Sequence, residues 1–584
     1  MNTMLGALSQ SQLKDLEADD APARRLGWQG PVAQQPGLAC VLRGRPHGAD
    51  GKPLNATEVL ALWERHGAAL PQQLRGGFAL ALVDARRGQA LLAVDRFSRE
   101  TLCYRLAPGH LAFAERADRV PGRGSDLSLQ AIYDYLLLHC IPSPQTVFAD
   151  VLRLPPGHAL LWERGEARLQ SYWPLVFEEH QRLGFAEAKE RFLGLIREGV
   201  AQELDGDARV GAFLSGGTDS STVAGMLGQV SGRPAKTYSI GFEAEGYDEM
   251  AYARIAAQRF GCEHHEYYVT PADLRESIVA VAQHHDQPFG NSSALPAYYC
   301  ARYARNDGCD KLLAGDGGDE LFGGNSRYAS QKFLNHYHAL PLALRRLLEP
   351  LSGEDNPLRR IPGVRQALGY VRHSRQPMPD RLQSMNLLLQ LGPQTLFEPG
   401  FWQRVDAQAP LRQMREVWGQ AQAHSLINRM LAYDWRYTLA ESDLPKVRGA
   451  TQMAGVEVAY PLLSDELTTF SMMLEPDWKL RGYKLRWFFK EALRGFLPDE
   501  IIAKKKHGFG LPFGVWAHRD PGLARIMRDG LDSLAARRLI RPEFVRTLLD
   551  ERLPEHPGYY GEMVWILLAL EHWLQGQMPG YRLD

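Results

Sequence analysis

The residues of this chain that could do chemistry gather in two glycine-rich stretches. The first is Phe213-Leu214-Ser215-Gly216-Gly217-Thr218-Asp219-Ser220-Ser221. Residues 210–214 are apolar and read as a buried parallel strand, and Thr222, Val223, Met226 and Leu227 open an apolar-faced helix. A strand that feeds a helix through glycines presents backbone N–H groups at the positive end of the helix dipole, which makes a phosphate cradle. No Lys follows the glycines as in the Gly-x-x-x-x-Gly-Lys-[Ser/Thr] nucleotide loop, and the spacing is not the Gly-x-Gly-x-x-Gly of dinucleotide binders. The second stretch, Leu312-Leu313-Ala314-Gly315-Asp316-Gly317-Gly318-Asp319-Glu320-Leu321-Phe322-Gly323-Gly324, ends another buried strand in glycines and three carboxylates. Such carboxylates are costly to bury unless they meet cations or donors. In an open α/β sheet, ligands gather outside the carboxyl ends of the strands, so Asp219 and Asp319 are expected at one edge. Two carboxylates there suit Mg²⁺, which binds through one or two of them plus substrate phosphates. The bland alternatives are a Ser/Gly turn with an Asp cap and an acidic surface loop. The glycines set beside buried-strand residues argue against both.

The elements that must position these loops can be read along the chain. With 584 residues, the protein is too long for a single core. The first part, to about residue 175, is β-rich: residues 78–83 and 90–94 flank a hairpin turn at 84–88, residue 104 and residues 111–114 are further strands, and 154–158 turn tightly into 159–162. Residues 185–204 are helical. From about 207 to 330, strands alternate with helices, as in a parallel sheet covered on both faces. Residues 237–242 read as the next strand and its exit loop, followed by a helix with Asp248 and Glu249 in its first turn. His264-His265-Glu266 reads as a surface strand, since no third residue is spaced for metal ligation. Beyond 330 the chain is mostly helical. A hydrophobic content of 45% and a charged content of 23% are ordinary globular values. The net charge of −1 gives no pull toward nucleic acid or anionic membrane. The six cysteines are scattered without a Cys-x-x-Cys pair, which suits a reducing cytoplasm and not a zinc site or disulfide framework. Neither a signal peptide nor a membrane-length apolar run is expected, so the sequence reads as a cytoplasmic protein.

An ordered set of motifs carries a resemblance. In the first part stand Glu58-Val59-Leu60, Leu74-Arg75-Gly76-Gly77-Phe78-Ala79, Asp95-Arg96-Phe97, Leu154-Pro155-Pro156-Gly157-His158 and Tyr172-Trp173. In the second stand the two glycine-rich stretches, Leu444-Pro445-Lys446-Val447, Gly455-Val456-Glu457-Val458 and Lys506-His507-Gly508-Phe509-Gly510-Leu511-Pro512. Over most of its length the chain resembles the asparagine synthetase family. The resemblance implies an α+β, Ntn-hydrolase-like (class II amidotransferase) domain with a β-sandwich at 1–175. It implies an α/β parallel-sheet ATP-pyrophosphatase domain with a helical extension at 176–584. It also implies a ligase that adenylates a carboxylate with ATP and Mg²⁺ and then lets a nitrogen nucleophile form the amide, releasing AMP and pyrophosphate. By position, Ser215, Gly216, Gly217, Asp219 and Ser220 would hold pyrophosphate and metal, with Asp319 as the second metal carboxylate. Phe213, Ile240 and Gly315 would lie along the adenine, with Leu214 in the same loop. Asp316 would help deprotonate the incoming nitrogen. Lys506 would steady negative charge on phosphate and acyl oxygen, while Lys504 and Lys505 read as a solvated basic turn.

The sequence departs from the family in two places. The family's glutaminase uses an N-terminal cysteine nucleophile, whereas position 2 here is Asn2. The first cysteine, Cys40, lies in a core-like strand and reads as a structural thiol. The Asn-Gly-Glu segment that grips glutamine is absent, and the region before Glu58 is short. The reading is therefore a scaffold that has lost glutamine hydrolysis. In the second part, Lys446-Val447-Arg448-Gly449-Ala450 replaces a pattern with Asp-Arg-Met after the Val, and Glu457-Val458-Ala459-Tyr460-Pro461 replaces Glu-x-Arg-x-Pro. A lost Arg removes a bidentate partner for a carboxylate, so the acyl substrate need not be aspartate. The nitrogen would come from free ammonia, a separate glutaminase or an amine on the substrate. The last option is similar to β-lactam synthetases and lasso-peptide cyclases, which modify peptides or specialised metabolites. A nucleotide-binding pseudoenzyme is the reading from another class. A homodimer is compatible with the family.

Overall fold

The computed structural model describes residues 3–180, 183–204, 209–244, 246–353, 361–505 and 510–584. The first part folds as two antiparallel sheets. One has six strands in the order Glu166–Ser171, His158–Glu163, Gln89–Val94, Phe78–Asp84, Leu38–Gly44 and Val32–Gln35. The other has four, in the order Leu5–Ser9, His110–Ala114, Cys103–Ala107 and Leu152–Arg153. Strand periodicity explains why the Phe78–Asp84 run is buried throughout. Ala79, Ala81 and Val83 face Leu8, Leu111 and Phe113 of the other sheet. Phe78, Leu80 and Leu82 point the opposite way, under Val59, Leu60 and Trp63 of the helix Ala56–His66. The two sheets thus form a sandwich with helices outside. The hairpin expected at 84–88 is present, with Asp84 paired to Gln89.

The second part is built on a five-stranded parallel sheet in the order Glu263–Val269, Lys236–Phe242, Val210–Phe213, Lys311–Leu313 and Glu457–Ala459. The chain winds outward one way from Val210–Phe213, then returns to add Lys311–Leu313 on its other side. The reversal makes a switch point between these two strands, and a crevice opens at their carboxyl ends. Both glycine-rich stretches leave the sheet there. One sequence expectation is corrected: the helix after the second strand starts at Met250, with Glu249 as its N-cap and no acid in its first turn. The Asp248 carboxylate instead accepts the Met250 N–H at 3.4 Å, so it caps from outside the helix.

The two parts are joined by buried polar contacts. Asp465, at the start of the helix Asp465–Met473, accepts the Gly76 N–H at 2.7 Å and pairs with Arg96 at 2.8 Å. Arg448 donates to the carbonyls of Ser98 and Arg99. Trp173 stacks on Trp435 with ring centroids 5.8 Å apart. Among the described residues, no helix is long and apolar enough to cross a membrane.

Candidate functional site at the sheet switch point

The first loop is shaped by its glycines and serines. Gly216 sits at φ +68°, and a Cβ there would run into the backbone of Tyr252 and Ala253. Only glycine combines that conformation with that approach. Ser220, in the first turn of the helix Thr218–Ser231, accepts the Ser215 N–H through its hydroxyl at 3.1 Å and lies 3.0 Å from the Ser215 hydroxyl. The Gly217 N–H points to the Ser215 hydroxyl at 3.4 Å. The loop is thereby folded back on the helix N-terminus, with hydroxyls and amides facing one space. Leu214 is buried, and its N–H donates to the Tyr238 carbonyl at 2.9 Å, which ties the loop to the neighbouring strand. Phe213 and Ile240 are half-buried and pack in one small cluster with Tyr238 and Cys300.

The second loop closes on the first. Gly315 lies against the Asp219–Ser220 backbone so closely that a Cβ would stand 2.7 Å from the Ser220 nitrogen. A Cβ on Gly318 would strike the Asp219 carboxylate, and one on Gly324 the Asp319 carboxylate. The glycines therefore make the room in which both carboxylates sit. Asp219 and Asp319 converge on one nitrogen of Arg486: its Nη1 lies 3.0 Å from Asp219 Oδ2 and 2.8 Å from Asp319 Oδ1. Oxygen donors brought to a single cation position within a glycine cradle fit a hard divalent ion.

Asp316 stands beside this pair. Burial pushes its carboxyl up to about 6, against the pull of Lys446, whose Nζ is 4.0 Å from Asp316 and 3.0 Å from Asp443. Lys446 is held charged well above its usual range by those two carboxylates, against burial. Burial also raises Glu320, with Asp443 and Asp434 adding to the effect. Carboxyls shifted this way in a crevice are the groups that accept or hold protons near neutral pH.

The sequence reading missed three residues of this site. Arg486 was one. Lys446 stands within the Leu444–Val447 motif, which signals no role for it. Lys504 is not part of a solvated turn: its side chain is 8% exposed, pairs with Glu249 at 3.0 Å and reaches the Gly216 carbonyl at 3.4 Å. It thus clamps the first loop from outside, and only its place two residues before Lys506 signalled it. Lys506 itself, with residues 507–509, lies outside the described residues. Glu263, His265 and Asp307 come within 4.8 Å of one another, so a third group does approach the His264-His265 strand. Lys236 already supplies a cation there, 2.8 Å from Asp307.

A cavity of about 280 Å³ lies at the seam of the two parts, bordered by Arg43, Glu100, Cys140, Asp286 and Arg448. Arg448 and Lys446 belong to one helix, Leu444–Ala454, whose residues border both the cavity and the carboxylate cluster. Ion pairs such as Arg43–Glu100 at 2.6 Å cross the cavity wall. Cys40, Cys103 and Cys140 are all buried, and burial pushes each thiol up.

Fold and site define a class: a switch-point α/β protein that sets a glycine- and serine-rich loop against a carboxylate pair, with an antiparallel sandwich docked beside it. Comparison with known proteins sharpens this. The family model described as "Asparagine synthase" matches residues 191–575, and one described as "Glutamine amidotransferase domain" matches residues 52–173. Asparagine synthetase [glutamine-hydrolyzing] 1 of Bacillus subtilis is 23% identical over 527 residues, covering 88% of this chain and 80% of that protein. A Mycobacterium bovis relative that also carries the glutamine-hydrolyzing asparagine synthetase name is 24% identical over 551 residues, covering 88% of this chain and 78% of that protein. Amidase chry2 of Gibberella zeae is 24% identical over 505 residues, covering 78% and 73%. The chain belongs to the asparagine synthase family, a family of ligases.

Proposed function

We propose that the protein is an ATP-dependent amide-forming ligase in which the switch-point crevice is the synthetase site and the first part is a scaffold without glutaminase activity. The division between the two falls at about residue 175. The observation that carries this reading is the convergence of Asp219 and Asp319 on one cation position beside the Ser215–Gly217 cradle. Mg²⁺ bound there would neutralise phosphate charge and orient the triphosphate.

In this reading the Ser215 and Ser220 hydroxyls and the Gly217 amide hold the pyrophosphate that leaves, and Phe213, Ile240 and Gly315 border the adenine. The substrate carboxylate oxygen attacks the α-phosphorus, the bond to the β,γ-phosphates breaks, and an acyl adenylate forms. The nitrogen nucleophile then attacks the acyl carbon and AMP leaves. Asp316 takes the proton that nitrogen loses, and Lys446 holds Asp316 partly ionised. Lys506 has the electrostatic role that the family resemblance assigns it. Buried thiols with raised pKa are poor nucleophiles, so no described cysteine of the first part serves glutamine hydrolysis. Ammonia, a separate glutaminase or an amine-bearing substrate supplies the nitrogen.

A second reading, an amide-forming enzyme acting on a peptide or specialised metabolite, is favoured by one observation. Arg448 follows Lys446-Val447 where the family has Asp, and it is spent on the Ser98 and Arg99 carbonyls. At Ala459, where the family pattern has Arg, the methyl side chain offers no guanidinium to a substrate carboxylate. The deciding measurement is pyrophosphate release from ATP and Mg²⁺ with aspartate, comparing ammonia with glutamine. Release with ammonia alone supports the ligase and the silent first part together. Glutamine-dependent asparagine formation by the purified chain would overturn the silent glutaminase. If aspartate gives no release but a peptide or metabolite carboxylate does, abolished by Asp219→Ala, the second reading holds.

A further inference from the structure

Arg486 is 167 residues from Asp319 in sequence and yet bridges the two carboxylates on which the site depends. Its position is built. The backbone is held at φ +54°, with its N–H placed against the carbonyls of Lys479 at 2.9 Å and Gly323 at 3.2 Å. The guanidinium lies over the Phe489 ring, 4.2 Å from the centroid. The residue is 5% exposed. Beyond Asp219 and Asp319, Nη1 also reaches the Thr218 hydroxyl at 3.0 Å. One nitrogen thus stands where a divalent ion shared by both carboxylates would stand.

The physical need is plain. Two carboxylates facing each other in a crevice repel unless a cation lies between them. Arg remains charged at every accessible pH and loses its hydration more readily than Lys. A divalent ion that enters must displace the guanidinium, and by itself it offers Arg486 no new partner. A metal–triphosphate complex does so, because its phosphate oxygens accept bidentate guanidinium bonds.

We infer that Arg486 is a built-in counter-cation that fills the Asp219–Asp319 cleft until metal and nucleotide arrive together, then turns to the phosphates. The site therefore does not load a divalent ion alone, and metal and nucleotide bind with positive coupling. This rests on the nucleotide reading of the same crevice. Because the backbone of Arg486 is anchored at Gly323 and Lys479, the exchange needs side-chain rotation only.

The test is Mn²⁺ binding to the full-length protein, read by electron paramagnetic resonance, with and without the α,β-methylene analogue of ATP. Arg486→Gln is expected to bind Mn²⁺ alone at least about tenfold more tightly than the unsubstituted protein, and its coupling to the analogue shrinks by the same factor. The gain disappears in the Asp219→Asn, Arg486→Gln double variant, which locates the ion. Arg486→Lys, whose ammonium cannot grip Asp219 with two nitrogens as Nη1 and Nη2 do, lies between; it also preserves the measurement if the Gln variant fails to fold. Equal Mn²⁺ affinity, within twofold, of a folded Arg486→Gln variant and the unsubstituted protein overturns the inference. If the unsubstituted protein binds no analogue even with Mn²⁺, the nucleotide reading fails instead, and the metal-alone comparison still decides the role of Arg486.

Discussion

In the proposed role, the half-buried Asp316 links chemistry to stability. With its carboxyl pushed up to about 6, the proton-accepting form dominates only above that pH. Amide formation is expected to fall about tenfold from its plateau when pH drops to 5. In Asp316→Asn, the plateau rate collapses and this limb disappears from the pH profile. The same shift has a stability sign. The folded-state pKa is raised, so between about 4 and 6 the unfolded chain binds fewer protons, and stability falls as pH rises through that window. The cost, at most about 3 kcal/mol, is fully present above 6. Asp316→Asn should therefore melt higher than the unsubstituted protein at pH 8 and show no gain at pH 4, as thermal denaturation at the two pH values will read. Arg486 was not legible at this scale. It stands two residues after the polar run Arg481-Gly482-Tyr483-Lys484, where charge patterning signals only a solvated turn, and its partners come from helices far away in sequence.

The strand–loop–helix units were the legible elements. Residues 210–231 announce themselves through an apolar run, glycines and an apolar-faced helix and fold as read; residues 311–313 form the expected buried strand, whereas the short helix Gly318–Phe322 after it carries no such signal. What periodicity could not supply was the sheet order, since the switch point depends on which side each returning strand takes. The start of the Met250–Phe260 helix was misplaced because Asp248 and Glu249 look like first-turn acids. The backbone turns helical only after them. The Gly216 loop yields a prediction for this scale. Gly216→Ala forces an L side chain into φ +68° and against the Tyr252–Ala253 backbone. We expect a loss of about 2–4 kcal/mol of stability in denaturant unfolding. ATP affinity should weaken at least about tenfold by calorimetry, because the amides no longer point at one place. Gly217→Ala, with ordinary extended backbone, should be milder in both measurements.

The whole molecule is held by a seam that no motif revealed. Asp465 is 4% exposed and serves Arg96 and the Gly76 amide at once. Its sequence context shows only a helix start after Ser464. Asp465→Ala strands a mostly buried guanidinium and is expected to cost about 3–5 kcal/mol, visible as a lower melting temperature. Residues 176–584 expressed alone should fail to give a stable protein, since Trp435, Arg448 and Asp465 would all lose their partners; recovery of pyrophosphate release by that fragment would refute this. The seam carries a further consequence for heredity. A catalytic activity can fade from a gene by drift at a few codons, but the segment that housed it cannot then be trimmed away. Every shortened allele would expose the Trp173–Trp435 stack and the Asp465 clasp, and it would be purged for misfolding, not for any missing reaction. On the function proposed above, the first half is thereby retained as ballast that the second half cannot drop.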